Sequence, residues 1–249
     1  MPEIYGSSYY NGFRDGSRRS AEVVAPLIVD WIAPASVIDL GCGTGDWLSV
    51  FKQMGVATIK GVDGDHVDLD QLAIPRSTFA VHDLSAPYQS DQRYDLTLSV
   101  EVGEHLPADS AGALVRSLTD LAPVVLFSAA IPNQPGAHHV NCQWPRYWAE
   151  LFAERGFVCI DALRMRLWND RRVDSWYRQN LVIYVSQAHL SRYPKLQVLY
   201  KPDPDGPLSL VHPELFQETY KYLLEWGVEW ERKYWDLWKQ VNTSVSEVI

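Results

Sequence analysis

Apolar residues along the chain follow two alternating rhythms. Short apolar runs near 36–40, 57–62, 78–81, 94–100, 123–128, 157–163 and 180–186 have the length and composition of buried strands. Between them, near 46–54, 108–121 and 145–155, apolar residues recur at helical spacing; Ala111, Leu114, Val115, Leu118 and Leu121 make one such face. Strands alternating with helices predict an α/β fold, a mostly parallel sheet with helices on both faces. A helix in "GSRRSAEVVAPLIVDWIAP" leads into the first strand, and another spans roughly 213–240. "KPDPDGP", Lys201 to Pro207, is rich in residues that interrupt regular structure and reads as a linker. The expected division is an N-terminal lid or helix over 1–35, a core over 36–190, and a linker with a C-terminal helix over 191–249.

Composition narrows the function. With 249 residues, 47% of them hydrophobic, the chain can bury one substantial core. A formal net charge of -9 argues against a general phosphate-binding surface, because non-specific nucleic-acid affinity comes from clustered lysine and arginine. Cys42, Cys142 and Cys159 are odd in number and form no C-x-x-C pair, so neither a disulfide framework nor a thiolate zinc site is indicated. No export signal or membrane-length apolar run is evident, and a cytoplasmic protein is expected.

The chemistry begins at "VIDLGCGTGDWL", Val37 to Leu48. After a strand, Gly41 allows a tight turn, Gly43 lets bare backbone approach a ligand, and Gly45 permits close packing of the next helix. That helix aims its free N–H groups and positive dipole end at the site. Asp63 closes the second strand 18 residues after Gly45, where a carboxylate can accept both hydroxyls of a ribose. Asp83, in "FAVHDL", follows the third strand, where an adenine edge would lie.

"VIDLGCGTG", "GVD", "FAVHDL" and "YDLTLSVEVGEHLP" resemble, in order over about 36–186, the motifs of class I S-adenosylmethionine-dependent methyltransferases. The resemblance implies a Rossmann-like seven-stranded sheet with its last strand antiparallel, and S-adenosylmethionine at the carboxyl ends of the first strands, leaving as S-adenosylhomocysteine. It implies that Gly41, Gly43 and Gly45 flank the methionine part with Asp39 beneath the loop. Asp63 would hold the ribose, Asp83 and the Leu84 amide the adenine, and Glu101 would lie near the donor.

Methyl transfer to a hydroxyl also needs an aligned acceptor and a place for its proton. In "SVEVGEHLP", Glu101, Glu104 and His105 stand at i, i+3 and i+4, which one helical turn would place on a single face. The loop "IPNQPGAHHVNCQWPRYW" brings His138 and His139 to the same end of the sheet. The E-x-x-E-H turn with a later histidine resembles the metal site of enzymes that methylate the terminal 2′-hydroxyl of small RNAs, and a similar turn occurs in ubiquinone-pathway O-methyltransferases. By that resemblance Glu101, Glu104, His105 and His139 would hold a divalent ion, and two carboxylates with two imidazoles suit manganese, iron or zinc at least as well as magnesium. The other readings are a metal-free site in which His105 or His139, with Glu104 beside them, acts on the acceptor proton, and histidines that are purely structural.

Three further segments have a functional and a structural reading. Tyr5, Tyr9, Tyr10 and Phe13 suit either a lid over the donor or a packed arm. Arg164, Arg166, Arg171, Arg172 and Arg178, interleaved with Trp168, Trp176 and Tyr177, suit capture of an acidic acceptor or a salt-bridged connection. Tyr222, Trp226, Trp230, Tyr234 and Trp238 form an i+4 ladder that suits packing, including a homodimer, or one wall of an acceptor pocket. The expected activity is O-methylation of a small polar hydroxyl acceptor such as a sugar, a nucleotide-linked sugar or a natural product. An RNA-end 2′-O-methyltransferase and a non-catalytic donor-binding partner subunit are the alternatives.

Overall fold

The computed structural model describes residues 7–202 and 209–246, with side chains from 16 to 202 and from 209 to 237. Tyr5, the side chains of Tyr9, Tyr10, Phe13 and Trp238, and most of the Lys201–Pro207 linker lie outside the described residues. In chain order the elements are α1 (Ser7–Ile32), β1 (Ser36–Leu40), α2 (Asp46–Gln53), β2 (Thr58–Asp63), β3 (Phe79–Val81), β4 (Leu96–Val100), α3 (Ala111–Leu121) and β5 (Val124–Ser128). There follow α4 (Pro145–Glu154), β6 (Phe157–Ile160), α5 (Arg164–Leu167), α6 (Ser175–Asn180), β7 (Val182–Ser186), α7 (Pro194–Leu199) and α8 (Pro213–Ser246).

The strands form one seven-stranded sheet in the order β3-β2-β1-β4-β5-β7-β6. The pairs from β3 through β5 are parallel, whereas β7 is antiparallel to both β5 and β6. Side chains alternate across the sheet with a period of two. On β5, Val124 and Leu126 face α1, α2 and α7, while Val125 and Phe127 face α3 and α4. Phe127, Phe152 and Tyr184 fill the second face, the rings of Phe152 and Tyr184 stacking at 3.7 Å.

β6 ends at Ile160, before the sequence pattern suggests. There the Asp161 carboxylate accepts from the buried Arg164 guanidinium, Nε to Oδ1 at 2.8 Å, and turns the chain into α5. The strand order reverses between β1 and β4, so their carboxyl ends part and leave a crevice. Among the described residues no helix is long and apolar enough to cross a membrane.

Candidate active site

The glycine elbow opens the crevice. Gly41, Gly43 and Gly45 have φ of 89°, 52° and 85°, the left-handed region that glycine enters without a side-chain penalty. Two of them also meet neighbours closely. A Cβ on Gly41 would lie 2.3 Å from Val102, and one on Gly45 would lie 2.8 Å from Ile74. Close packing at Gly45 is therefore against the segment after β2 and not against the following helix, as the sequence suggests. A Cβ on Gly43 would meet nothing within 4 Å, and its backbone lines open space.

Asp63 ends β2 and braces this loop. Its Oδ2 accepts from the Gly43 N–H at 2.6 Å and its Oδ1 from the Gly64 N–H at 2.7 Å. Beneath the loop Asp39 is buried, with its Oδ1 unpartnered among the described residues. Burial, and then the charge of Asp63, push its carboxyl up to about 8. On the other side of the crevice Asp83 accepts from the Ser85 N–H at 2.9 Å, and the Ser85 side chain, followed by this N–H, holds its carboxyl below the usual carboxylate range.

Gly41, Gly43, Asp63, Asp83, Leu84 and Glu101 line one cavity of about 810 Å³, together with His105 and His138. That volume lies within the range of small-molecule sites. Asp39 and Gly45 support the cavity from behind without lining it.

The E-x-x-E-H segment departs from its expected geometry. Glu101 has φ of 55°, rare for a residue with a side chain, and only Gly103–His105 form a short 3-10 turn. Glu101 therefore does not share a helical turn with Glu104 and His105. Its N–H donates to the Ser128 carbonyl at 3.0 Å, and its carboxylate accepts from Gln134 Nε2 at 2.8 Å and Asn180 Nδ2 at 3.1 Å. Asn180 Nδ2 also donates to Gln134 Oε1 at 2.9 Å.

Glu104, His105 and His139 come together instead. Each offers a ligand atom within 4.8 Å of the others, and the two imidazole rings lie edge to face with centroids 5.0 Å apart. Glu104 is fully buried and neither carboxylate oxygen has a hydrogen-bond partner among the described residues. Burial, followed by the charge of Glu101, raises its carboxyl well above the ordinary value. Desolvation lowers both imidazoles, His105 to about 4 with the help of the neighbouring His139, so both are neutral at pH 7.

The loop after β5 is fixed on this turn by its backbone. Val140 and Asn141 N–H groups donate to the Glu104 carbonyl at 2.8 and 3.0 Å. A Cβ on Gly136 would lie 2.0 Å from His139 Nε2, so the ring sits directly against bare backbone.

Sequence spacing gave no sign of Gln134 or Asn180. Gln134 sits in the expected acceptor loop but without a motif, and Asn180 is 79 residues from Glu101. Of the arginines of 164–178, Arg164 and Arg178 are buried in the body of the protein, whereas Arg166, Arg171 and Arg172 are exposed. Arg164 pairs with Asp161, Arg172 with Asp170, and Arg171 and Arg178 with Glu214, while Arg166 lies over the Trp31 ring.

A family model described as a methyltransferase domain matches residues 14–172, more than half of the chain. A comparison with curated proteins finds no match. Among solved structures the chain is similar to the CcbJ methyltransferase from Streptomyces caelestis, at 17% identity over 69% of this chain and 90% of that one, with a TM-score of 0.51. It is similar to S-adenosylmethionine-bound CalS10, an amino pentose methyltransferase from Micromonospora echinaspora involved in calicheamicin biosynthesis, at 14% identity over 75% of this chain and all of that one, with a TM-score of 0.53. Similarity to DesVI from Streptomyces venezuelae, at 21% identity and a TM-score of 0.42, covers 51% of this chain and spans only 57% of that one. At these identities the likenesses to CcbJ and CalS10 show the fold alone. The chain belongs to the methyltransferase domain family, within the class I S-adenosylmethionine-dependent methyltransferases.

Proposed function

We propose that the protein methylates a hydroxyl oxygen of a small polar acceptor, a sugar, nucleotide-linked sugar or natural product, beside a divalent cation held by Glu104, His105 and His139. The observation that carries this reading is the fully buried Glu104, with two unpartnered carboxylate oxygens facing two neutral imidazoles. A buried carboxylate is costly unless it is paired or binds a metal. His139 supports the ligand role further: its Nδ1 lies 3.1 Å from the Gln134 carbonyl and donates to it, which leaves the Nε2 lone pair free. His105, held near 4, is too weakly basic to be an effective free general base at pH 7, which disfavours that residue as the base of the metal-free reading.

The donor fits the cavity described above. Bare backbone at Gly43, the Asp63 carboxylate and the exposed Asp83 offer the contacts that an amino acid, a ribose and an adenine require. S-adenosylmethionine supplies an electrophilic methyl group on a sulfonium. The chain's own residues would place the donor: Asp63 and Asp83 would orient the nucleoside, and Glu101, locked by Gln134 and Asn180, lines the same cavity. A divalent cation on Glu104, His105 and His139 would lower the pKa of an acceptor hydroxyl. Two imidazoles favour manganese, iron or zinc over magnesium.

The formal net charge of -9 supports a small acceptor over an RNA end. Methyl transfer from labelled donor into separated metabolite and RNA fractions tests the proposal. It predicts label in the metabolite fraction, lost with excess chelator and restored by manganese. Undiminished transfer in chelator would overturn the metal role, and salt-sensitive transfer into RNA would overturn the acceptor class.

A further inference from the structure

We propose that α8 is a dimerisation element that pairs antiparallel with α8 of a second copy of this chain. The helix spans 34 residues, about 50 Å at 1.5 Å per residue. Only its root is held by the body. Leu215 is buried, Arg178 pairs with Glu214, and Ser175 Oγ lies 3.0 Å from Glu218 Oε2. Every residue from Tyr220 to Leu237 is exposed.

That exposed length carries a seam. Phe216, Tyr220, Leu223, Gly227, Trp230, Tyr234 and Leu237 are spaced alternately by four and three residues, the a/d repeat of a two-stranded coil. Glu218, Glu225 and Arg232 recur at seven on the opposite line, flanked by the exposed Tyr222, Val228 and Trp235. Phe216, Tyr220, Leu223, Trp230, Tyr234 and Leu237 are each more than half exposed, as are Leu224 and Trp226 beside them. A large aromatic side chain buries roughly 150–250 Å² in full, so these eight half-exposed groups would bury roughly 600–800 Å² per copy. The total of roughly 1,200–1,600 Å² is what a stable interface requires.

The exposed area selects a second copy, and volume selects the antiparallel direction. Gly227 breaks the seam with a gap, since a Cβ there would meet nothing within 4 Å, and Trp230 stands one step along it. Antiparallel pairing seats Trp230 of each copy on Gly227 of the other, and opposes Leu223 to Tyr234 and Tyr220 to Leu237. Parallel pairing would oppose tryptophan to tryptophan and leave a void between glycines.

Sedimentation of the full chain tests this independently of catalysis. The expected result is a species of twice 28.3 kDa at about 10 μM, with Trp230→Glu weakening association at least about 100-fold and leaving the circular dichroism of the core unchanged. Gly227→Leu, which fills the seat of the opposing tryptophan, should also yield monomers; stronger association would overturn the antiparallel pairing. Mixed Leu223→Cys and Tyr234→Cys chains should cross-link on oxidation beyond the wild-type blank. Cross-linking of Leu223→Cys alone, or a wild-type chain that stays monomeric, would overturn the proposal.

Discussion

The ring of His139 and the carbonyl of Gln134 meet at 3.1 Å, while the side-chain amide of the same glutamine donates to Glu101 at 2.8 Å. One loop residue thus braces the wall of the donor cavity and a member of the neighbouring cluster. Gln134→Ala keeps the carbonyl and removes only the amide. Donor affinity should fall about tenfold, in keeping with the ~1.5–3 kcal/mol of a hydrogen bond to a charged group, and manganese affinity should change less. Titrations of S-adenosylhomocysteine and of manganese into the same variant read the two effects separately.

Replacing Glu104 with glutamine preserves shape and removes a carboxylate buried without partners. Manganese-dependent turnover should fall by at least about 100-fold. The melting temperature in chelator should stay at or above that of the wild type, because a buried unpaired acid contributes little to stability. Retained turnover in this variant would show that Glu104 has no part in the chemistry.

Acid and base limbs of stability should have separate origins. His105 is held near 4 against an ordinary 6.5, so between those values the unfolded chain binds more protons and stability falls as pH falls. Asp39 works in the opposite sense. Its carboxyl is raised from 3.8 to about 8, the folded chain keeps the extra proton across that window, and stability falls as pH rises through it. Asp39→Asn should therefore raise the melting temperature by a few degrees at pH 8 and by less at pH 5. Melting curves across this range check both signs.

Two glycine variants separate fold from site. Gly41→Ala places a side chain at φ 89° and 2.3 Å from Val102, and should destabilise the protein by about 2–4 kcal/mol in denaturant titration. Gly136→Ala pushes on the His139 ring 2.0 Å away and should lower turnover about 100-fold while donor binding persists.

The sheet was legible because β-strand alternation and helical spacing record burial directly. The runs expected at 36–40 and 123–128 are β1 at Ser36–Leu40 and β5 at Val124–Ser128. The glycine elbow was legible because left-handed backbone favours glycine in sequence. Side-chain partnerships across distant segments leave no such trace. Arg178 belongs to a basic patch by spacing, yet it is buried against Glu214, 36 residues on. Glu101 looks like one corner of a four-ligand set, yet its backbone turns left-handed and two amides claim its carboxylate.

Calorimetric titration of the full chain with S-adenosylhomocysteine is the most direct measurement. The structure predicts one site per chain with a dissociation constant near the micromolar range, weakened at least about 100-fold in Asp63→Ala, which loses the brace to Gly43. Absence of binding heat in the wild type, with donor and product both tried, would contradict the account.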